Sequence, residues 1–451
     1  MSATPEAESV PATHSKQRFD ESRRLSERAQ TLIPGASHTY AKGSDQFPDH
    51  MPGIMQRGLG CHVWDVDGNE FIEFGMGLRA VTLGHAFPPI LDAVRRALPM
   101  GTNFTRPARI EVECAEKLLS IIQWADMVKF CKDGSDALDG AVRLARAFTG
   151  RDLIAICADH PFFSTSDWFI GSTEMPGGIP EAVRALTLKF RYNDIGSLRA
   201  LFEKYPGQIA CVVMEPARIE EPGSGYLQEV KTLCRESGTV LVFDEMITGF
   251  RWHLAGAIAV YGVKPDLATY GKALANGFSV SALAGRREIM ELGGSRHKRE
   301  RVFLLSTTHG AESHELAAAI ATMDFYEQHN VVERLYTQGA RLRTGIEQRA
   351  SSLGLSKHFG VISRDVNLLY FTRDGNLEPN ARLRTLFLQE IMARGVIAPS
   401  FVVSYSHTDA DIDRTLDVIH DALKVFRRAL DEGVDHFLRG SPVLPAFRRF
   451  G

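Results

Sequence analysis

The sequence predicts an α/β protein with a mostly parallel central sheet, helices on both faces and a smaller α+β domain. Two observations carry this. From about residue 90, helix-period stretches alternate with short apolar runs, the rhythm of a layered sheet. After residue 312 that rhythm gives way to a long helical stretch and then to mixed strands and helices. A length of 451 residues leaves room for a large domain and a satellite.

Residues 1–17, rich in Ser, Thr, Pro, Ala and Glu, read as a disordered tail. Residues 18–33 read as a charge-rich amphipathic helix stopped by Pro34-Gly35. Residues 53–75 read as a small antiparallel sheet with a tight turn at Asp67-Gly68. Helices are predicted over 88–98, 111–123, 135–148, 195–204 and 227–237. Strands are predicted over 127–131, 153–157, 210–214, 239–243 and 281–284. One helical stretch runs from Glu315 to about Arg349. Strands over 366–371 and 396–398 then mix with helices over 380–394 and 409–430. This divides the chain into the tail, an N-terminal segment (18–75), a large domain (76–325) and a C-terminal small domain (326–451).

Composition excludes whole classes of function. Lys and Arg number 52 and Asp and Glu 55, a net charge of −3. That is too near neutral for a general nucleic-acid binder. No apolar run approaches the ~20 residues of a membrane span, and Met1–Glu6 lacks a secretory layout. A cytoplasmic location is expected. The six cysteines have no CxxC spacing, and most sit in apolar surroundings, as small buried hydrophobes do. No HxxxH pair marks a zinc site.

In an open α/β sheet, ligands sit at the carboxyl ends of the strands, and three segments place polar residues there. In Phe130-Cys131-Lys132-Asp133-Gly134-Ser135-Asp136-Ala137, a strand ends at a Gly, and Ser135 is placed to cap the next helix. Free N–H groups at such a start favour a phosphate. In Thr239-Val240-Leu241-Val242-Phe243-Asp244, an apolar run delivers an acid to a buried strand end, where only a positive partner makes it tolerable. In Thr269-Tyr270-Gly271-Lys272-Ala273-Leu274, a Lys stands among small and apolar residues. Desolvation would lower its pKa and make it a nucleophile for imine formation. Taken singly, each segment is as well read as an ordinary turn, an acid pairing with an Arg, or a surface Lys. Taken together and in this order, they match the three handles of pyridoxal 5′-phosphate (PLP): phosphate, ring nitrogen and aldehyde.

The chain resembles the class III PLP-dependent aminotransferases of fold type I, especially their glutamate-1-semialdehyde 2,1-aminomutase-like branch. The residues that carry this are Gly60 to Asn69, Leu83-Gly84-His85, Gly134-Ser135-Asp136-Ala137 and Ala141 to Arg146. They continue with Met214-Glu215-Pro216, Phe243 to Arg251 and Gly271-Lys272-Ala273. The resemblance implies that Lys272 is the Schiff-base lysine and that Asp244 is the acid at the pyridine nitrogen. It puts Met246 on one ring face and Phe162 on the other, with Phe163 replacing the family's usual His. Gly134 and Ser135 match the phosphate loop. Thr308, or its neighbour Thr307, matches a threonine that reaches the phosphate from a second subunit, so a homodimer with composite sites is implied. Where the family continues Gly-Asn-Pro, this chain has Ala311-Glu312-Ser313, which makes Glu312 unusual and a candidate substrate residue.

The substrate residues differ from the branch. No Arg follows Pro34-Gly35, and Lys42 is only a near match. Arg79, just before Leu83-Gly84-His85, is a candidate carboxylate clamp, and Arg218 is a second. For Arg79 a structural salt bridge is an equal reading. Arg251 is read as support for the loop after Asp244, and Asp65 and Asp67 as turn-shaping residues. These departures favour an aminotransferase that moves an amino group between a small amine or amino acid and a carbonyl acceptor. The alternative is an intramolecular aminomutase using the same residues.

Overall fold

The computed structural model describes residues 18–51 and 53–449; the tail expected over 1–17 lies outside them. The N-terminal arm starts with the helix Asp20–Leu32. Its first turn is capped by a residue far along the chain: Asp67 Oδ1 and Oδ2 accept from the N–H groups of Glu21 and Ser22, both at 2.8 Å. A meander comes next, β1 (Met55–Leu59), β2 (His62–Asp65) and β3 (Glu70–Glu73). Asp65 folds the β2–β3 turn by accepting from the N–H groups of Asp67 (3.0 Å) and Asn69 (2.8 Å). Asp65 therefore shapes the turn, as expected, whereas the Asp67 carboxylate serves the N-terminal helix.

The large sheet is built from β4 (Met127–Cys131), β5 (Leu153–Cys157), β6 (Thr187–Phe190), β7 (Ile209–Met214), β8 (Val240–Asp244), β9 (Leu267–Tyr270) and β10 (Ser281–Gly285). Their spatial order is β4-β10-β9-β8-β7-β5-β6. β10 alone runs against the direction of the other six strands, so the sheet is mostly parallel. β8 lies at the centre and every residue in it is buried. Residues alternate between two cores. Cys211, Val213, Val240 and Val242 pack with Ala137, Leu138 and Ala141 of the helix Gly134–Thr149. Val212, Met214, Leu241 and Phe243 pack on the opposite face with Val230 and Leu233 of the helix Tyr226–Glu236. Helices therefore cover both faces, as a parallel sheet requires.

After the sheet come the helices Ser313–Gln328 and Val331–Ser352. They replace the single helix expected from Glu315 to Arg349. The break falls at His329, whose ring stacks 3.9 Å from that of Phe325 while its backbone turns extended. The C-terminal part adds β11 (Phe359–Ile362), β12 (Leu369–Thr372), the helix Ala381–Met392, β13 (Val396–Ile397) and the helix Asp409–Glu432. The strand expected over 366–371 starts later, after a 3₁₀ turn at Asp365–Asn367. β13 joins β3 in parallel, so the two ends of the chain share one sheet. All six cysteines are buried and free. No helix among the described residues is long and apolar enough to cross a membrane.

Candidate active site

Asp244 ends β8 on the same side as Val240 and Val242, with only 4% of its surface exposed. Its Oδ1 accepts from the Met246 N–H at 2.9 Å and the Thr269 hydroxyl at 3.2 Å. The β8–β9 register places Thr269 opposite Asp244. Oδ2 has no hydrogen bond among the described residues. Burial pushes this carboxyl above the ordinary range, and the Lys272 ammonium opposes the shift.

Lys272 stands two residues after β9, at φ +47°, where the chain enters a 3₁₀ turn. Its amine makes no hydrogen bond among the described residues. Burial drives its pKa down, while Asp244 and then Glu215 pull it up. Burial thus favours the neutral amine, the form that attacks an aldehyde. Asn276 anchors the far end of this turn: it accepts from Leu83 N–H (2.8 Å) and donates to Gly84 O (3.0 Å), tying the turn to Leu83-Gly84-His85.

The anion cradle differs in one respect from expectation. Asp133, not Ser135, caps the helix, accepting from Asp136 N–H at 3.0 Å, and the helix begins at Gly134. Ser135 sits in the first turn, and its hydroxyl accepts from Thr165 N–H at 3.1 Å. The first-turn N–H groups of Gly134 and Ser135 have no helical acceptor. Met246 is wedged between this cradle and the lysine turn. A Cβ on Gly134 would meet its sulfur at 3.1 Å, and one on Gly271 at 2.6 Å. Both glycines are set by that close approach.

The segment carrying the aromatic is held by Asp139, a residue sequence reasoning did not single out. It accepts from Ser164 Oγ (2.7 Å), Trp168 Nε1 (2.6 Å) and the Ser166 hydroxyl. Phe162 is left 42% exposed with its ring edge-on to Phe169, whereas Phe163 is buried among Phe169 and His160. Of the two adjacent aromatics, only Phe162 is exposed, and its ring also meets that of Phe447 at 6.3 Å, tilted by 38°.

Three cations gather beside the lysine. Arg79 leaves a left-handed turn in which Met76, Gly77, Leu78 and Arg79 have φ between +43° and +73°. Such backbone costs of order 1 kcal/mol per non-glycine residue. Its guanidinium donates to Asn367 Oδ1 (2.7 Å) and Ser400 Oγ (3.2 Å), with no carboxylate paired to it among the described residues. Burial first, then the Arg218 and Arg251 charges, push it down to about 10. Arg218 lies 3.9 Å from Glu215, through Nε and Oε1. Arg251 is fully buried and holds the loop after Asp244, as expected, through Ile247 O at 2.6 Å. Lys42 stands apart, exposed in the 3₁₀ turn Tyr40–Lys42, and the structure does not bring it to this group.

Glu215 is the acid that sequence reasoning quoted without a role. It follows β7, is 3% exposed, and leaves Oε2 unpartnered. Burial lifts its pKa to about 7 against the pull of Arg218. Its N–H donates to Nδ1 of buried His160 at 3.0 Å, and burial holds that imidazole near 3, hence neutral.

Thr307 and Thr308 are exposed. Thr308 O accepts from Asn103 Nδ2 at 2.8 Å. Glu312 binds Lys132 at 2.8 Å and His309 at 3.1 Å, and Lys132 also pairs with Glu315. Glu312 thus anchors the threonine segment to the residue before the anion cradle, rather than entering the lysine pocket.

The aminotransferase class III family model matches residues 44–423. The chain belongs to the class III aminotransferases. These are PLP-dependent enzymes of fold type I, so this class III aminotransferase is a PLP-dependent transaminase. It is 32% identical over 423 residues to the glutamate-1-semialdehyde 2,1-aminomutase of Acetivibrio thermocellus, covering 89% of this chain and 97% of that protein. Among solved structures, the FumI protein of Sphingopyxis sp. MTA144 in its PLP internal aldimine form is similar, with a TM-score of 0.83, 28% identity and coverage of 91% and 97%. An omega-transaminase from Sphaerobacter thermophilus is similar at a TM-score of 0.81, 26% identity and coverage of 90% and 98%.

Proposed function

We propose that this class III aminotransferase moves an amino group from a small carboxylate-bearing amine to a carbonyl acceptor, with Lys272 and Asp244 as its catalytic pair. The observation that carries this is the pairing of two unsatisfied groups at neighbouring strand ends. Asp244 keeps Oδ2 free, and Lys272 keeps its amine free, each inside the other's field. PLP, when bound, would supply a ring that accepts electrons from the substrate carbon. Asp244 would accept the ring N–H and hold that proton, Gly134 and Ser135 would receive the phosphate at the helix start, Phe162 and Met246 would flank the ring, and Lys272 Nζ would carry the proton to and from the substrate carbon.

The threonine segment supports a homodimer. Asn103 binds Thr308 O, and Thr102 O accepts from Ser313 N–H at 2.9 Å, so the 98–104 segment lies beside the threonines. Met100 (71% exposed), Phe104 and Phe303 present apolar surface there. In this reading Thr308 serves the phosphate of a second copy. A cytoplasmic enzyme with its cofactor domain over 76–325 and its small domain over 326–451 completes the reading.

Arg79, whose guanidinium meets Asn367 and Ser400 and no carboxylate among the described residues, supports a carboxylate substrate, with Arg218, 3.9 Å from Glu215, as the second candidate. The aminomutase reading keeps one support, the name shared by curated relatives at about 30% identity. Turnover with and without a keto acid decides between the two. Turnover that stops after one equivalent of donor unless pyruvate is supplied supports the transaminase. Isomerisation of one substrate with no co-substrate overturns it. For the catalytic pair, PLP added to wild-type protein should give a visible absorbance band that Lys272→Ala lacks. A band unchanged in Lys272→Ala overturns the role of Lys272.

A further inference from the structure

We infer that Arg251 is a positioning residue for carboxylate recognition: it fixes the left-handed turn that presents Arg79 and so sets substrate affinity without touching the substrate. The inference rests on the reading of Arg79 as the carboxylate clamp.

Arg251 has no exposed surface, and no carboxylate pairs with it among the described residues. An unpaired buried guanidinium is costly, and an apolar side chain would fill the space at less expense. What the guanidinium adds is donors in a fixed fork. One terminal nitrogen donates to Ile247 O at 2.6 Å, in the loop after Asp244. The other donates to Arg79 O at 2.5 Å and to Thr82 Oγ1 at 3.0 Å. Arg251 therefore bolts together two segments distant in sequence. One descends from the strand that carries Asp244. The other is the run of positive-φ residues from Met76 to Arg79.

That run needs the bolt. Met76, Leu78 and Arg79 carry side chains in a conformation L-residues avoid. Released, the turn relaxes toward right-handed backbone, and the Arg79 guanidinium leaves Asn367 and Ser400. The peptide carbonyl that Arg251 grips belongs to Arg79 itself, so the hold acts at the base of the clamp.

The test uses the PLP-loaded full-length enzyme with two donors of matched shape, 3-aminobutanoate and sec-butylamine, and pyruvate as acceptor. Binding of propionate, read by calorimetry, gives a measure independent of turnover. Arg251→Lys keeps the charge but cannot reach both carbonyls. Arg251→Lys should raise KM for 3-aminobutanoate roughly tenfold and weaken propionate similarly, with KM for sec-butylamine within about twofold and any loss of kcat, through the loop after Asp244, the same for both donors. Thr82→Val, a milder change that removes one acceptor, should act in the same direction and less. In an Arg79→Gln background, Arg251→Lys should add no further discrimination between the donors.

An equal rise in KM for both donors, or a full Arg251→Lys effect on KM persisting without Arg79, overturns the inference. If Arg251→Lys fails to fold, Thr82→Val gives the same reading, and a silent Thr82→Val then overturns it. If Arg79→Gln itself leaves donor discrimination and propionate binding at wild-type values, the clamp reading falls and this inference with it. If Arg79→Gln abolishes discrimination while Arg251→Lys and Thr82→Val are silent, only the positioning role fails.

Discussion

The Thr269 hydroxyl of β9 donates to Asp244 Oδ1 of β8 across 3.2 Å, three residues before Lys272. One strand thus orients the acid and delivers the amine. Replacing Asp244 by Asn keeps the shape and removes the charge. At about 4 Å and an effective dielectric near 20, a unit charge contributes about 4 kcal/mol, or roughly 10³-fold in rate. Asp244→Asn should lower kcat by about that factor. Thr269→Val, which removes only an orienting bond, should cost about tenfold. Steady-state kinetics of the two variants checks the ranking, and equal losses would refute it.

Glu215 makes the protein's stability depend on pH in an unusual direction. Its folded pKa is about 7, above its ordinary 4.5. Between those values the folded state holds a proton that the unfolded state has lost. Stability therefore falls as pH rises through this window, by up to about 3 kcal/mol in all. Glu215→Gln removes the liability. Thermal melts of the PLP-free protein should show the variant gaining on wild type from pH 5 to pH 8. A constant difference across that range would show that Glu215 does not titrate there.

The sheet and the catalytic pair were legible because their signals are local. An apolar run ending in Asp244, and a Lys272 among small residues, can be read without knowing any neighbour. β6 and β9 escaped because Lys189 interrupts one, and the other is four residues long with a central Ala-Thr. The break at His329 carries neither Pro nor Gly; it falls where the backbone turns extended and the His329 ring stacks on Phe325. Arg79 was ambiguous for a related reason. Whether an Arg meets a carboxylate or stands free depends on Asn367 and Ser400, some 300 residues away. Lys42 matched a pattern in the chain yet lies outside the cluster, since spacing alone does not fix how the arm folds back. The role of Asp139 is wholly tertiary in origin.

The packing of Met246 between two glycines predicts an asymmetry. A methyl added at Gly271 would collide with Ser281 Oγ and stand 2.6 Å from the Met246 sulfur. At Gly134 the nearest atom is that sulfur at 3.1 Å. Overpacking of the first kind costs about 1–3 kcal/mol, and the second can be relieved by a small rotation of a flexible side chain. Gly271→Ala should lower the melting temperature by several degrees, and Gly134→Ala by less. The reverse order in calorimetry would show that Met246 yields to Gly271 more readily than to Gly134.

Asp139 gives the sharpest separation of cofactor binding from fold. Its carboxylate collects three donors from Ser164, Ser166 and Trp168, and through them shapes the segment that leaves Phe162 exposed. An amide offers one acceptor oxygen where the carboxylate offers two, so Asp139→Asn strands at least one buried donor, at about 1–3 kcal/mol. The segment lies over the cradle, because Thr165 N–H bonds to Ser135 Oγ. Most of the loss should therefore appear as weaker cofactor affinity, about tenfold or more in the Kd of PLP. Global stability should change little, because the helix Gly134–Thr149 keeps its apolar face against the sheet. Fluorescence titration with PLP, alongside a denaturant melt of the cofactor-free protein, reads the two quantities separately. A variant that melts early yet binds PLP normally would mean that Asp139 serves the core and not the ring site.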